Sequence, residues 1–252
     1  MKKTNINSTE PLLKVTEAAA LLGIDIDTLR RWGSKGKLKP IRTRGGHRRY
    51  PVSLLRKVLK GNYLSLAKLW AKYGGWQPES IVYCPDRAIF IARINAMERL
   101  LEKRIGPVYS IISSSAGELG NNSFNHNLGK WRDIPGLYFA YNLEQKWIVL
   151  ADRGQGILKT LQNTAMGLVK DEEALFVAFT EVITGRAPEK RGNGLKYVRR
   201  NIEKGFFNLE FHSRNAYLSL KVNQQISQKK IITTRNLIPG CMAIIRYGAD
   251  KE

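Results

Sequence analysis

One stretch constrains this chain more than any other: Glu118-Leu-Gly-Asn-Asn122-Ser-Phe-Asn-His126, together with two glycine clusters that follow it. The clusters are Asp152-Arg-Gly154-Gln-Gly156-Ile157 and Arg191-Gly192-Asn-Gly194-Leu195. Read as a helix, the stretch places Glu118, Asn122 and His126 at i, i+4 and i+8, on one face. That face offers a carboxylate able to activate a water or hydroxyl and an amide oxygen able to hold Mg²⁺. Each glycine cluster lets backbone approach a ligand closely, because no Cβ intervenes. An acid, a metal-holding amide and two close-approach turns, in that order, read as a nucleotide site.

The order E-x-x-x-N, D-x-G-x-G, G-x-G-L resembles the Bergerat-fold ATPases, which include gyrase and MutL ATPase domains, histidine-kinase catalytic domains and anti-sigma-factor kinases. The resemblance covers roughly residues 80 to 248. It implies an α/β (α+β) fold, a two-layer α/β sandwich with a mixed sheet, and ATP with Mg²⁺ as cofactors. It implies that Asn122 coordinates Mg²⁺ and that Glu118 acts as general base. Asp152 would accept the adenine amino group, with Gly154, Gly156 and Ile157 letting base and ribose lie against backbone. Residues between Ile157 and Arg191 would form the lid, with a helix over Asp171 to Thr184, and Arg186, Lys190 and Arg191 would neutralise phosphate charge. Gly192, Gly194 and Leu195 would open a helix whose N-terminus faces the phosphates. Where the family often has Gly-Thr before its last strand, this chain has Gly240-Cys241. Many histidine kinases lack a carboxylate at the Glu118 position, so its presence tilts towards hydrolysis or Ser/Thr phosphorylation. None of His47, His126 and His212 lies in a phosphoacceptor helical hairpin. For His126, packing, phosphate-proximal and chemical roles all stay open.

The front of the chain carries a second pattern. Thr16 is a plausible N-cap, Ala18 to Leu22 reads as a short helix, and Gly23 ends it. Asp25 caps a second helix, Ile26 to about Lys35, which displays Thr28, Arg30 and Arg31 and buries Leu29 and Trp32. Pro40 and Gly45-Gly46 predict a β-hairpin wing with a cationic tip, and Pro51 suits the first turn of a third helix, Val52 to Lys60. Thr16-Glu-Ala-Ala, Thr28-Leu-Arg-Arg-Trp32 and Gly45-Gly-His-Arg-Arg-Tyr50 resemble the MerR/excisionase type of winged helix-turn-helix, including the version at the front of some serine-recombinase transposases. The resemblance implies double-stranded DNA as partner. Thr28, Arg30 and Arg31 would approach the major groove, while Arg42, Arg44, His47, Arg48, Arg49 and Tyr50 would form the gripping wing. The segment after it is too short for the long coiled coil of MerR dimers, so a homodimer stays an open alternative.

Charge agrees with a polyanionic partner. The 252 residues hold 42 Lys+Arg against 21 Asp+Glu, a formal net charge of +21. Residues 1 to 80 carry 17 basic and 5 acidic side chains, so the first third holds more than half of the excess. Cys84 and Cys241 lie far apart without metal-ligand spacing, which argues against a disulfide framework or a zinc site. No signal peptide and no membrane span is expected, and the chain reads as cytoplasmic.

These readings order the chain as a polar tail (1–11), a winged helix-turn-helix domain (12–61), a linker helix and turn (62–79) and an ATP-binding domain (80–252). Ser80 to Cys84, Leu137 to Tyr141, Lys146 to Ala151, Phe206 to Phe211, Ala216 to Val222 and Cys241 to Tyr247 read as strands. The apolar spacing from Ala88 to Leu101 and the segment after Val108 read as helices. Three functions fit: a DNA-binding transcriptional regulator coupled to ATP; a Ser/Thr protein kinase of the anti-sigma type, with a protein substrate; or an accessory protein of a mobile element.

Overall fold

The computed structural model describes residues 10–162, 167–181 and 193–248. The chain divides into two compact units, residues 1–73 and residues 74–252.

The first unit runs β1 (Leu12–Lys14), α1 (Val15–Leu22), α2 (Ile26–Ser34), β2 (Ile41–Arg42), β3 (Arg48–Pro51), α3 (Val52–Val58) and α4 (Tyr63–Tyr73). Its three strands form one antiparallel sheet in the order β1-β3-β2. Helix α1 starts one residue before Thr16, so the expected Thr16 cap is replaced. The Lys14 N–H donates instead to the Glu17 carboxylate at 2.9 Å. Glu17 also pairs with Lys72 of α4 at 3.3 Å. Gly23 ends α1 with φ +68°, a conformation that costs a residue with a Cβ about 1 kcal/mol. Asp25 caps α2 through the Thr28 N–H at 2.6 Å. Pro51 precedes α3 and does not sit inside its first turn. The segment read as a linker helix is α4, which packs on α1 and α3 and buries Ala67.

The second unit runs β4 (Tyr83–Cys84), α5 (Arg87–Ile105), α6 (Tyr109–Asn127), β5 (Leu137–Asn142), β6 (Trp147–Asp152), α7 (Gly156–Gln162), α8 (Asp171–Thr180), α9 (Gly194–Glu203), β7 (Phe207–Leu220) and β8 (Ile231–Tyr247). The five strands lie in the order β4-β5-β6-β8-β7. Every pairing among the described residues is antiparallel, which corrects the mixed sheet expected from the sequence while leaving the α/β class intact. The two strands expected over Phe206–Phe211 and Ala216–Val222 are one long strand, β7. Its register with β8 shifts at Ser213, Arg214 and Ala216, and Arg214 takes φ +54°. Such a bulge bends the strand and re-aims side chains near it.

The core forms where period-2 apolar residues of the sheet meet period-3.6 stripes of the helices. Phe139, Leu150, Phe211, Ala243 and Ile245 cluster with Phe90, Met97, Ile112, Leu119, Phe179 and Val198. Each buried aromatic or Leu contributes about 1.5–3 kcal/mol through water release. Helices α5 and α6 approach closely because Gly120 leaves room for the Phe90 ring, which also meets Phe139 edge-on at 5.4 Å. This layer carries α6 across the end of β6, so Glu118, Asn122 and Asp152 come together.

Candidate functional site

Two surfaces stand out. On the first unit, Asp25 accepts the Thr28 N–H and, through Oδ2, the Thr28 hydroxyl at 2.7 Å. The Thr28 N–H bond, reinforced by the hydroxyl, holds the Asp25 carboxyl below the usual range. Thr28 Oγ1 in turn accepts from Arg31 at 3.0 Å, and Arg30 pairs with Asp27 at 2.9 Å. These local bonds pre-set the start of α2. Both arginines remain exposed, as do Lys35, Lys37 and Lys39. In the wing, a turn closes between Thr43 and Gly46 (N···O 2.9 Å), and the Arg42 guanidinium donates to the Gly46 carbonyl at 3.1 Å. Arg44 and His47 are exposed; Arg48 and Arg49 are half-buried. Tyr50 is the exception. It is 0% exposed, opposite Leu13 in the β1–β3 register, so it packs the core and does not belong to the gripping surface. Alternation along β3 turns it inward.

On the second unit, α6, the end of β6, the first turns of α7 and α9, and β8 enclose a cavity of about 760 Å³. That is the size of a small-molecule site. Glu118, Asn122, Asp152, Gly156, Ile157, Gly194 and Leu195 all line it. The three sequence motifs therefore converge on one space, with Gly154 the exception: it does not line the cavity, and its missing Cβ makes room for the Asn127 amide and not for a ligand. A Cβ on Gly194 would overlap the Glu118 carboxylate and stand 3.6 Å from Asn122 Nδ2. Arg186, Lys190, Arg191 and Gly192 lie outside the described residues.

Asp152 is the buried anchor, 2% exposed. Its Oδ1 accepts from Gly154 N–H (2.9 Å), Asn127 Nδ2 (3.2 Å) and Cys241 N–H (3.3 Å); its Oδ2 accepts from the Ser123 hydroxyl (2.8 Å). Burial raises the Asp152 carboxyl above its ordinary range, and the four donors partly offset this. Gly240, next to Cys241, has no room for a Cβ beside the Asp152 carboxylate. The Cys241 position thus serves Asp152 through its backbone N–H, whatever its side chain. Burial also pushes the Cys241 thiol up, so it is protonated at neutral pH.

The turn after β6 is held from two sides. Asn127 Oδ1 accepts the Gln155 N–H at 3.0 Å, and Ser213 Oγ, on the β7 bulge, accepts the Ile157 N–H at 2.9 Å. Gly156 adopts φ +76°, with Arg214 and Ser213 against it. The segment expected as a lid is described in part: α7 lines the cavity, and α8 packs on β7 and β8 through Leu175 and Phe179. His126 is exposed, and its carbonyl accepts from Gln155 Nε2 at 3.0 Å.

Sequence reasoning missed Ser123, Asn127 and Ser213, whose partners lie far along the chain. It also missed the cavity cations Arg87, Lys130, Lys196 and Arg200. Lys196 is 8% exposed, and burial lowers its ammonium below the ordinary lysine range. Four cations against Glu118 and Asp152 suit an anionic ligand. Glu118 and Asn122 offer hard oxygen donors, the type Mg²⁺ takes, and a few protein oxygens suffice when phosphates and waters complete the shell. Among the described residues, no group of three His, Cys, Asp or Glu could hold a metal alone. No helix of the described residues is long and apolar enough to cross a membrane.

Comparison with curated proteins gave no match. Residues 14–50, from the end of β1 through Tyr50 of β3, match the family model described as MerR family regulatory protein, which supports a DNA-binding domain at the front of the chain.

Proposed function

We propose that the protein is a DNA-binding transcriptional regulator whose second unit binds ATP in a Bergerat-type (GHKL) site, so that nucleotide state bears on DNA binding. The convergence of the acid–amide stretch and both glycine turns on one cavity of about 760 Å³ carries this reading. Asp152 would take the amino group of adenine, and the N-terminus of α9 with Lys196 and Arg200 would face the phosphates. Asn122 would hold Mg²⁺ together with the phosphates, and the ion would screen their charge. Glu118 would take the proton of the attacking water. Arg30, Arg31 and the wing arginines would meet DNA phosphates and groove edges.

The test is ATP binding and hydrolysis by the full chain, wild type beside Glu118→Ala and Asn122→Ala. Wild type should bind and hydrolyse ATP. Glu118→Ala should keep binding and lose turnover by about 10²- to 10⁴-fold, the usual share of a general base. Asn122→Ala should lose the Mg²⁺-dependent part of the affinity. DNA affinity is then measured without nucleotide, with ADP and with a non-hydrolysable ATP analogue. Identical affinity in all three states ends the coupling, and no ATP binding by wild type ends the nucleotide reading.

A further inference from the structure

Asn127 is the last residue of α6, 4% exposed, and it joins two parts of the cavity wall that the sequence separates. Its amide nitrogen donates to Asp152 Oδ1 at 3.2 Å, and its amide oxygen accepts the Gln155 N–H at 3.0 Å. A Cβ on Gly154 would overlap the same amide, so the glycine exists at this point to admit the Asn127 side chain. A buried amide with both ends engaged is fixed in orientation, because a flip would set donor against donor and acceptor against acceptor.

The consequence falls on Asp152. With Asn127, Gly154 and Cys241 all donating to Oδ1, that oxygen is filled. Oδ2 receives the Ser123 hydroxyl and keeps a further acceptor site. Asp152 lines the cavity, so the group it presents there is an acceptor. Facing the C6 substituent, an acceptor pairs with the amino group of adenine and opposes the carbonyl of guanine, and the rejection is large when the site's polar group is buried.

Resting on the nucleotide reading of the cavity, we propose that Asn127 is a positioning residue that sets base selectivity, by loading Asp152 Oδ1 with donors so that Oδ2 faces the ligand as an acceptor, and by locking the Gln155 turn against it. Asn127 lines the cavity beside Asp152, with both ends of its amide engaged by the protein. It acts through Asp152.

The experiment is a double-mutant cycle on the full chain, reading the affinities for Mg·ADP and Mg·GDP by calorimetry and stability by thermal melting. Wild type should prefer ADP to GDP. Asn127→Asp keeps the acceptor for Gln155 but replaces the donor to Asp152 with a second carboxylate. The ADP-to-GDP affinity ratio should fall at least tenfold. Asp152→Asn should give a similar fall, and the double variant should fall no further, since both changes act on one interaction. Asn127→Ser is measured in the same cycle and keeps the test alive if Asn127→Asp does not fold. Equal losses for ADP and GDP in the Asn127 variants, whatever the melting temperature, would mean that Asn127 only holds the fold, and the proposal is overturned. So would fully additive losses with Asp152→Asn. Wild type binding ADP and GDP equally overturns base selectivity while sparing the nucleotide reading; wild type binding neither removes that reading, and the proposal with it.

Discussion

Asp152 concentrates the chemistry of the second unit in one side chain, and its burial has a measurable signature. Burial raises its carboxyl above the ordinary aspartate value, so the folded state binds a proton more readily than the unfolded chain does. The stability this gives is present below the unfolded value, about pH 4, and is lost as pH rises through the folded one. Asp152→Asn removes the titration but keeps one acceptor oxygen. In urea titrations, the stability of wild type relative to Asp152→Asn should therefore be greatest near pH 4 and decline towards pH 7. A difference independent of pH would show that the carboxyl does not titrate with folding. Asp152 itself was legible in the sequence, because a strand ending in Asp-x-Gly-x-Gly announces a close-approach turn. Three of its four donors were not. Ser123 and Asn127 lie 29 and 25 residues before it, and Cys241 lies 89 after it. Nothing in local periodicity says which polar residue of a helix will be drawn inward by a carboxylate that far away. Tyr50 shows the opposite error. Its place in the wing motif Gly45–Tyr50 suggested a DNA-facing role, but strand alternation turns it into the core.

At the level of elements, the position of α6 decides whether the site exists, and glycine spacing controls that position. Gly117 and Gly120 sit one turn apart on this helix, yet their surroundings differ. A Cβ on Gly117 would meet nothing within 4 Å, whereas a Cβ on Gly120 would overlap the Phe90 ring of α5. Replacing glycine by alanine inside a helix gains about 1 kcal/mol from propensity. Gly117→Ala should keep that gain and raise the unfolding midpoint. Gly120→Ala must displace a buried ring, at about 1–3 kcal/mol, so the sign should reverse and the midpoint should fall. Phe90→Leu, which opens space, should relieve the Gly120→Ala defect; if both alanines shift the midpoint alike, the packing account fails. The helices themselves were readable from apolar spacing and caps, as with Asp25 before α2 and the stripe of α5. The close approach was not, because it depends on what faces the glycine. The union of two expected strands into β7 was hidden for a similar reason: a bulge at Ser213 and Arg214 looks, in sequence, like a break. Helix α7 went unseen because it is only seven residues long and starts directly from the glycine turn.

For the whole molecule, the question is whether the excess charge acts as a diffuse field or through the MerR-like unit. Both parts of the chain are basic: residues 1 to 80 hold 17 basic against 5 acidic side chains, and residues 81 to 252 hold 25 against 16. A diffuse field would let the removal of any cation weaken DNA binding to a similar extent. A built interface would not, because each cation seated on a phosphate releases a bound counterion, while a remote one releases none. The slope of log affinity against log salt falls by about 0.9 for each phosphate that is no longer neutralised. Arg44 and Arg48 belong to the wing, and Lys221 and Lys229 lie on the exposed turn between β7 and β8. Both pairs remove two positive charges when changed to alanine, so net charge is matched. Arg44→Ala with Arg48→Ala should reduce the slope by about 1.8 in the full chain. Lys221→Ala with Lys229→Ala should leave it within error of wild type. Equal reductions from the two pairs would assign DNA binding to overall charge and remove the wing from the interface. Repeating both titrations with saturating ADP carries the same comparison to the cavity of the second unit: under the proposed coupling, ADP changes affinity through the wing-dependent slope, whereas without coupling the same two lines return.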